Sequence, residues 1–337
     1  MSLFPQLELG TPLVGIARLA AAGEALSEGH QVEYLEIQNR SLLTRCLSPR
    51  VPFAWTINSY RGCEFGCKYC YARYTHEFME LREAMDFERK IYVKQHAAWL
   101  LRQELKQVRS GQEIAIGTAT DPYQPAERKF GITRSILEEF ARHGGLSLGL
   151  VTKSNLILRD LDLLQVVSAK NRLTIHITIT TLKTNLARTL EPRAPRPDLR
   201  LKTVEKLAQA GISIGVNCAP VLPGITDSPA ELERIVKAAA QAGARSVYAI
   251  PLFLKPCSAK VFLPFVKENF PHLLAEYEKR YSDRAFASPA YQQRISSMIK
   301  AYRAKYGIDS REETLARAGN RSAPANAVEQ LDLFRMH

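Results

Sequence analysis

An open (β/α)6 partial TIM barrel with a helical carboxyl-terminal extension is the fold class that the sequence predicts, on three observations. Six short runs rich in β-branched and apolar residues recur along the chain, helix-period stretches fill most of the gaps between them, and a tight group of cysteines follows the first run. Strands joined by crossover helices lie parallel, since no tight hairpin links them. The first run, Phe53–Asn58, ends in Ser59-Tyr60-Arg61-Gly62. Glu113–Gly117, Leu146–Thr152, Leu173–Thr180, Ile212–Asn217 and Ser246–Ile250 follow as buried strands. Helical periods fall near 134–143, 158–170, 198–210 and 229–242, and the last is preceded by Asp227-Ser228-Pro229, a helix-start signal. Two further helical patterns, 259–280 and 288–306, form the extension, and residues 311–329, rich in Ala, Arg, Asn and Ser, read as a flexible tail. The expected divisions are a segment 1–50 packing on the barrel, the barrel at 51–255, the extension at 256–310 and the tail at 311–337.

The composition is that of a soluble globular protein: 337 residues, 46% hydrophobic and 24% charged. No stretch approaches the ~20 apolar residues of a membrane span. The first residues, Met-Ser-Leu-Phe-Pro-Gln, lack the basic and apolar regions of a signal peptide. Six cysteines without a framework pattern point to a reducing cytoplasm. Residues 1–50 carry four Arg against five Glu and residues 311–337 four Arg against four acids, so the central body carries +13 against a net charge of +12 for the chain. A basic folded body favours a surface that meets phosphates, as in DNA, against a background of scattered solvated lysines.

The chemistry concentrates in Arg61-Gly62-Cys63-Glu64-Phe65-Gly66-Cys67-Lys68-Tyr69-Cys70-Tyr71, a C-x3-C-x2-C triad. Closed zinc sites use four protein ligands, usually in two separated pairs. Three thiolates on one loop can instead hold three irons of a cubane and leave the fourth open for a small ligand. A structural zinc site borrowing Cys46 or a distant cysteine, or three buried thiols, are the alternatives. Gly62 and Gly66 let the backbone wrap closely. A loop at the carboxyl end of a first barrel strand is where such barrels place active sites.

The triad and Tyr69 before its last cysteine closely resemble the radical S-adenosylmethionine (SAM) superfamily. Asn58-Ser-Tyr-Arg-Gly-Cys63, Thr120-Asp-Pro-Tyr-Gln-Pro125, Thr152-Lys-Ser154, Arg159-Asp160, Leu190-Glu-Pro192 and Pro223-Gly-Ile-Thr-Asp227 fall in the order seen in its spore photoproduct lyase-like branch, over roughly residues 30–310. The resemblance implies a [4Fe-4S] cluster on Cys63, Cys67 and Cys70, and cleavage of SAM to a 5'-deoxyadenosyl radical with an electron from an external donor. It implies SAM contacts at Thr120 and Lys153; a lysine ammonium pairs with a carboxylate as a point charge. It also links Tyr69 and Tyr71 to radical relay, with packing around the cluster as the competing role.

One departure matters. The lyase carries a hydrogen-donating cysteine two residues before its SAM-binding hydroxyl residue, and this chain has Thr118 there. A threonine O–H bond is too strong to replace it. Cys218 and Cys257 both follow predicted strands and are the candidate donors, although a lone cysteine is commonly a small buried hydrophobe. Near the carboxyl end, Gln330-Leu331-Asp332-Leu333-Phe334 resembles the pentapeptide with which bacterial repair proteins dock on the sliding clamp. A tail folding back onto its own domain is the competing role. Three functions are therefore in play: a radical SAM enzyme on a damaged or modified DNA base, the same chemistry on a small metabolite or protein side chain, and a nucleic-acid-binding iron–sulfur protein without radical catalysis.

Overall fold

The computed structural model describes residues 13–308 apart from 24, 30–31 and 49–50. Its strands are β1 Ala25–Gly29, β2 Val32–Glu36, β3 Thr44–Arg45, β4 Trp55–Ile57, β5 Tyr60–Arg61, β6 Lys90–Val93, β7 Glu113–Ile116, β8 Ser147–Thr152, β9 Arg172–Thr178, β10 Ser213–Val221 and β11 Ser246–Pro251. The main sheet runs β11-β10-β9-β8-β7-β4-β3, with β4 and β7 to β11 parallel and β3 antiparallel on the edge of β4. β4 and β11 stand at opposite sides of the parallel array and do not pair, so the barrel is open and has the six expected strands.

Alternation along each strand separates two environments. Ile114, Ile116, Leu148, Leu150, Ile175, Ile177, Ile214, Val216 and Val247 face the helices and form the main core. Glu113, Ala115, Gly149, Val151, His176, Thr178 and Asn217 face the other way, into a cavity. The helix Ile132–Arg142 meets the core with Ile132, Ile136, Leu137 and Phe140, an i, i+4, i+5, i+8 stripe. Pro229–Gln241 begins with Ser228, whose Oγ accepts from the Glu231 N–H at 3.3 Å.

Two features depart from the sequence reading. The helical pattern at 259–280 is broken into Pro256–Asn269, a 3-10 turn Pro271–Leu273 and Leu274–Arg280. Pro271 has no N–H to donate and drives Phe270 out of helical geometry, to φ −141° and ψ 55°. A second sheet, β1-β2-β6-β5, was not foreseen; β2 and β6 pair in parallel, and β5 and β6 antiparallel. Its strands are short, and although β1 and β2 are adjacent in sequence, the parallel pairing of β2 with β6 spans more than fifty residues that no local period announces. Among the described residues no helix is long and apolar enough to cross a membrane. Gln330–Phe334 lies outside the described residues.

Candidate active site around the cysteine triad

β4 ends at Ile57, and Asn58 ties it to the end of β7: its Nδ2 donates to Thr118 Oγ1 at 3.2 Å and its Oδ1 accepts from the Ala119 N–H at 2.8 Å. β5 then leads into the cysteine loop through Gly62, at φ 83°; a Cβ there would stand 2.7 Å from the Lys90 carbonyl and 2.8 Å from that of Phe87. Gly66, at φ 63°, lies so close to the Arg193 guanidinium that a Cβ would approach it to 3.1 Å. Gly62 is thus required by angle and by space, and Gly66 by its angle.

The front of the loop is held by the turn after β7. Thr120 Oγ1 donates to the Gly62 carbonyl at 2.5 Å, and Gln124 Nε2 donates to the same carbonyl at 3.1 Å and to Thr120 Oγ1 at 2.9 Å. The Glu64 N–H donates to Gln124 Oε1 at 2.9 Å, and the Glu64 carboxylate accepts from the Ala126 N–H at 2.7 Å. Asp121 caps its own turn and accepts from Thr152 Oγ1 at 2.6 Å and from the Lys153 N–H at 2.7 Å, joining β7 to β8. The Thr120 hydroxyl is therefore directed at the loop itself.

The rear of the loop is held by the segment after β9. The Lys68 N–H donates to the Leu190 carbonyl at 2.9 Å, and Tyr69 O–H donates to Glu191 Oε1, beside Thr180 Oγ1 at 3.1 Å. Glu191 is also paired with Arg200, whose Nη1 donates to the Thr178 carbonyl at 3.1 Å and which is 1% exposed. Burial alone would raise the Glu191 pKa, but Arg200 and Lys153 outweigh it and hold the carboxylate below its ordinary range. Arg73 Nη2 caps the Cys67 carbonyl at 3.2 Å and Ser258 Oγ the Cys70 carbonyl at 2.8 Å.

Cys63, Cys67, Cys70, Tyr69, Tyr71, Thr120 and Lys153 all line one cavity of about 290 Å³ at the carboxyl ends of the barrel strands. Lys153 Nζ stands 5.8 Å from the Tyr69 ring centroid. Burial disfavours its charge, but Cys67 and Glu191 more than offset this and raise its pKa. Burial pushes the Cys67 thiol up to about 12, against the opposing pull of Lys153. Tyr71 O–H donates to the Thr118 carbonyl, and its ring meets Phe253 at 6.3 Å.

The triad suits the group that the resemblance implies. Three soft thiols share one buried loop, with a buried ammonium alongside to offset thiolate charge. Among the described residues no three His, Cys, Asp or Glu side chains gather closely enough to share one ion. Cys46 remains at the β3–β4 hairpin, where its N–H donates to the Ala54 carbonyl at 2.8 Å, and it does not line the cavity.

The candidacy of Cys218 and Cys257 as hydrogen donors to a radical in the cavity is not supported by where they lie. Asn217 and Ala219 line the cavity, so the Cys218 between them faces the helix layer and belongs to the apolar core. Cys257 begins the helix Pro256–Asn269, its Sγ 3.7 Å from Ser258 Oγ, and is not among the lining residues. Glu191, Arg200, Gln124 and Asp121 had no assigned role in the sequence reading. Leu190-Glu-Pro192 and Thr120-Asp-Pro-Tyr-Gln-Pro125 were the signals for three of them; Arg200 had none.

The family model of the Radical SAM superfamily matches residues 57–249. An uncharacterized protein of Mycobacterium tuberculosis is 32% identical over 259 residues, 77% of this chain and 76% of that protein. One of Methanocaldococcus jannaschii is 30% identical over 179 residues, 53% of this chain and 64% of its own. Among solved structures, a spore photoproduct lyase superposes with TM-score 0.63 at 17% identity, covering 89% of this chain and 85% of the lyase. Another lyase structure, with bound AdoMet and dinucleoside spore photoproduct, gives 0.61 at 14% identity over the same shares. At such identity these two show the shared fold. The family match spans more than half of the chain and the Mycobacterium tuberculosis relative is 32% identical over 77% of it, so this protein belongs to the radical SAM superfamily, with a [4Fe-4S] cluster and SAM as its cofactors.

Proposed function

We propose that this radical SAM enzyme acts on a damaged or modified base in DNA. The observation that carries this reading is the single cavity that joins the cysteine loop to the interior of an open barrel whose architecture is that of a DNA-lesion lyase. The +13 charge outside the two ends supports it, because phosphate contacts supply most of the affinity for DNA. Cys63, Cys67 and Cys70 would hold the cluster, which supplies the electron that cleaves SAM to methionine and a 5'-deoxyadenosyl radical. Lys153 would pair with the SAM carboxylate, being the cation that lines the cavity beside Cys67. Thr120 would act first on the loop, through Gly62, and any contact with SAM would use its remaining lone pair. Tyr69 is a loop anchor through Glu191, and Tyr71 lines the mouth. The electron donor is an external cytoplasmic reductant.

Deuterium transfer tests the substrate class. Reduced holoenzyme, SAM and DNA from cells grown in heavy water, irradiated or alkylated beforehand, should yield deuterated 5'-deoxyadenosine by mass spectrometry. Label arriving only from a deuterated metabolite or peptide pool would replace DNA with the runner-up substrates, for which Thr118 in place of the donor cysteine speaks.

Gln330–Phe334 is proposed as a docking peptide for the sliding clamp, with Leu331, Leu333 and Phe334 as anchors. A peptide of residues 325–337 should bind the purified clamp with micromolar affinity, and Leu333→Ala with Phe334→Ala should abolish it. Equal binding by the doubly substituted peptide would remove the clamp from the account.

A further inference from the structure

The inner face of a (β/α) barrel is ordinarily filled by layers of branched aliphatic side chains. Below the cysteine loop this barrel carries Glu113, His176, Asn217 and Tyr248 instead, all lining the same cavity. Gly149 lies four residues before Lys153 on β8, roughly 13 Å deeper at the rise of a strand. Two glycines make this arrangement possible. A Cβ at Gly149 would stand 2.9 Å from Glu113 Oε1. One at Gly215 would stand 2.5 Å from Ser246 Oγ and 2.7 Å from the His176 ring. Glycine weakens a strand interior, and here both fall where a polar side chain crosses the barrel.

The Asn217 carboxamide oxygen leaves an acceptor on this floor for a ligand to meet. Asn217 is 5% exposed, its Oδ1 has no hydrogen-bond partner, and it lines the cavity. A buried acceptor left unmatched is costly. Among the described residues lining the cavity, Lys153 is the one cation, and it sits at the top beside Cys67. The floor therefore presents the open Asn217 oxygen beside the Glu113 carboxylate and the His176 ring, with no lysine or arginine, which disfavours phosphate and favours a ligand with an N–H to give. Ala115, Val151 and Ile250 supply apolar walls, and the Tyr248 ring meets His176 edge-on at 5.3 Å. Polar atoms at one end and flat apolar sides suit a planar nitrogen heterocycle.

We infer that the barrel floor is a subsite that reads the N–H edge of an amino-bearing base (adenine, cytosine, guanine or a derivative) in preference to thymine. This rests on the reading that the enzyme works on a base in DNA, drawn out of its stack into the barrel. Thymine would bring carbonyl oxygens beside its single N–H towards the Glu113 carboxylate and Asn217 Oδ1.

Fluorescence anisotropy of reconstituted holoenzyme with saturating SAM, under argon, tests this with labelled oligo(dA), oligo(dC) and oligo(dT). Matched hydrogen bonds to a base edge discriminate by roughly tenfold, so oligo(dA) and oligo(dC) should bind about that much more tightly than oligo(dT). Asn217→Leu and Gly149→Ala should bring the ratio close to one, Asn217→Asp should keep it, and SAM affinity and cluster absorbance should be unchanged in all three. Equal binding of all three strands by the wild type, or a ratio that survives Asn217→Leu, overturns the subsite while leaving DNA as the substrate class. Loss of SAM affinity in Asn217→Leu assigns the floor to the cofactor and overturns it too. Absence of binding to any strand overturns the DNA reading itself, and the subsite with it.

Discussion

The loop that carries Cys63, Cys67 and Cys70 is gripped at its front by hydrogen bonds to neutral partners, those of the Glu64 carboxylate included, and at its rear by a buried ion pair. In front, Thr120 and Gln124 share the Gly62 carbonyl, the Asp121 and Glu64 carboxylates accept from neutral N–H and O–H groups, and the ion pairs that steady this turn lie one layer back, where Tyr123 O–H donates to Asp160 at 3.2 Å. Behind, Glu191 meets Tyr69 directly and is paired with Arg200 in a fully buried site. Neutral bonds each contribute about 1 kcal/mol net and tolerate the loss of a partner modestly. A buried ion pair is weak evidence for stability, yet breaking one half of it strands an uncompensated charge. The rear grip should therefore be the brittle one, and the front grip the compliant one.

Removing the loop's own chemistry sets the ceiling for any such ranking. Cys67→Ala should abolish the brown absorbance and the anaerobic conversion of SAM to 5'-deoxyadenosine, since two thiolates cannot retain a cluster that needs three. Retained turnover with bound zinc would refute the cluster assignment. Next comes the rear grip. Glu191→Leu alone or Arg200→Met alone should cost about 3–5 kcal/mol in urea unfolding of the apoprotein, and the double substitution should cost less than either. Additive losses would mean that the two side chains contribute by packing and not as a pair.

Lys153→Ala tests the ground between the two grips. A buried charge-assisted contact is worth about 1.5–3 kcal/mol, so SAM affinity should fall by roughly tenfold to a hundredfold with the cluster retained. Unchanged SAM affinity would limit Lys153 to offsetting the charge of Cys67 and Glu191. The front grip should respond less. Thr120→Val keeps shape and loses the donor to Gly62, for about 1–2 kcal/mol of stability. Full stability with lost SAM binding would show that the hydroxyl serves the cofactor.

The smallest effect concerns the charges behind the front grip. Burial would raise the Asp160 pKa, but hydrogen bonds from Arg159 and Arg134 outweigh it and hold it below its ordinary 3.8. A carboxylate depressed in the folded state contributes stability that is present above the unfolded pKa and lost as pH falls through the folded one. Asp160→Asn should flatten the decline of the urea midpoint below about pH 4, and an unaltered acid slope would place the responsible carboxylate elsewhere.

Some of this was legible in the chain and some was not. The cysteine spacing, the six strands and the positions of Thr120 and Lys153 are local facts: ligand spacing lies within one loop, and strands announce themselves by β-branched runs between turn residues. The rear grip was invisible, because Tyr69 and Glu191 lie 122 residues apart and nothing in either neighbourhood names the other. The break at Pro271 was readable in principle and was overridden by an otherwise continuous helical period. Cys218 shows the deepest limit. Alternation along β10 dictates that Cys218 and Asn217 face opposite ways, and the sequence determined that much by the geometry of an extended chain. Which of the two faces the cavity depends on how the sheet curves and which side the helices cover, and only the packing of distant elements decided that Asn217 would look inward and Cys218 would be buried among the helices.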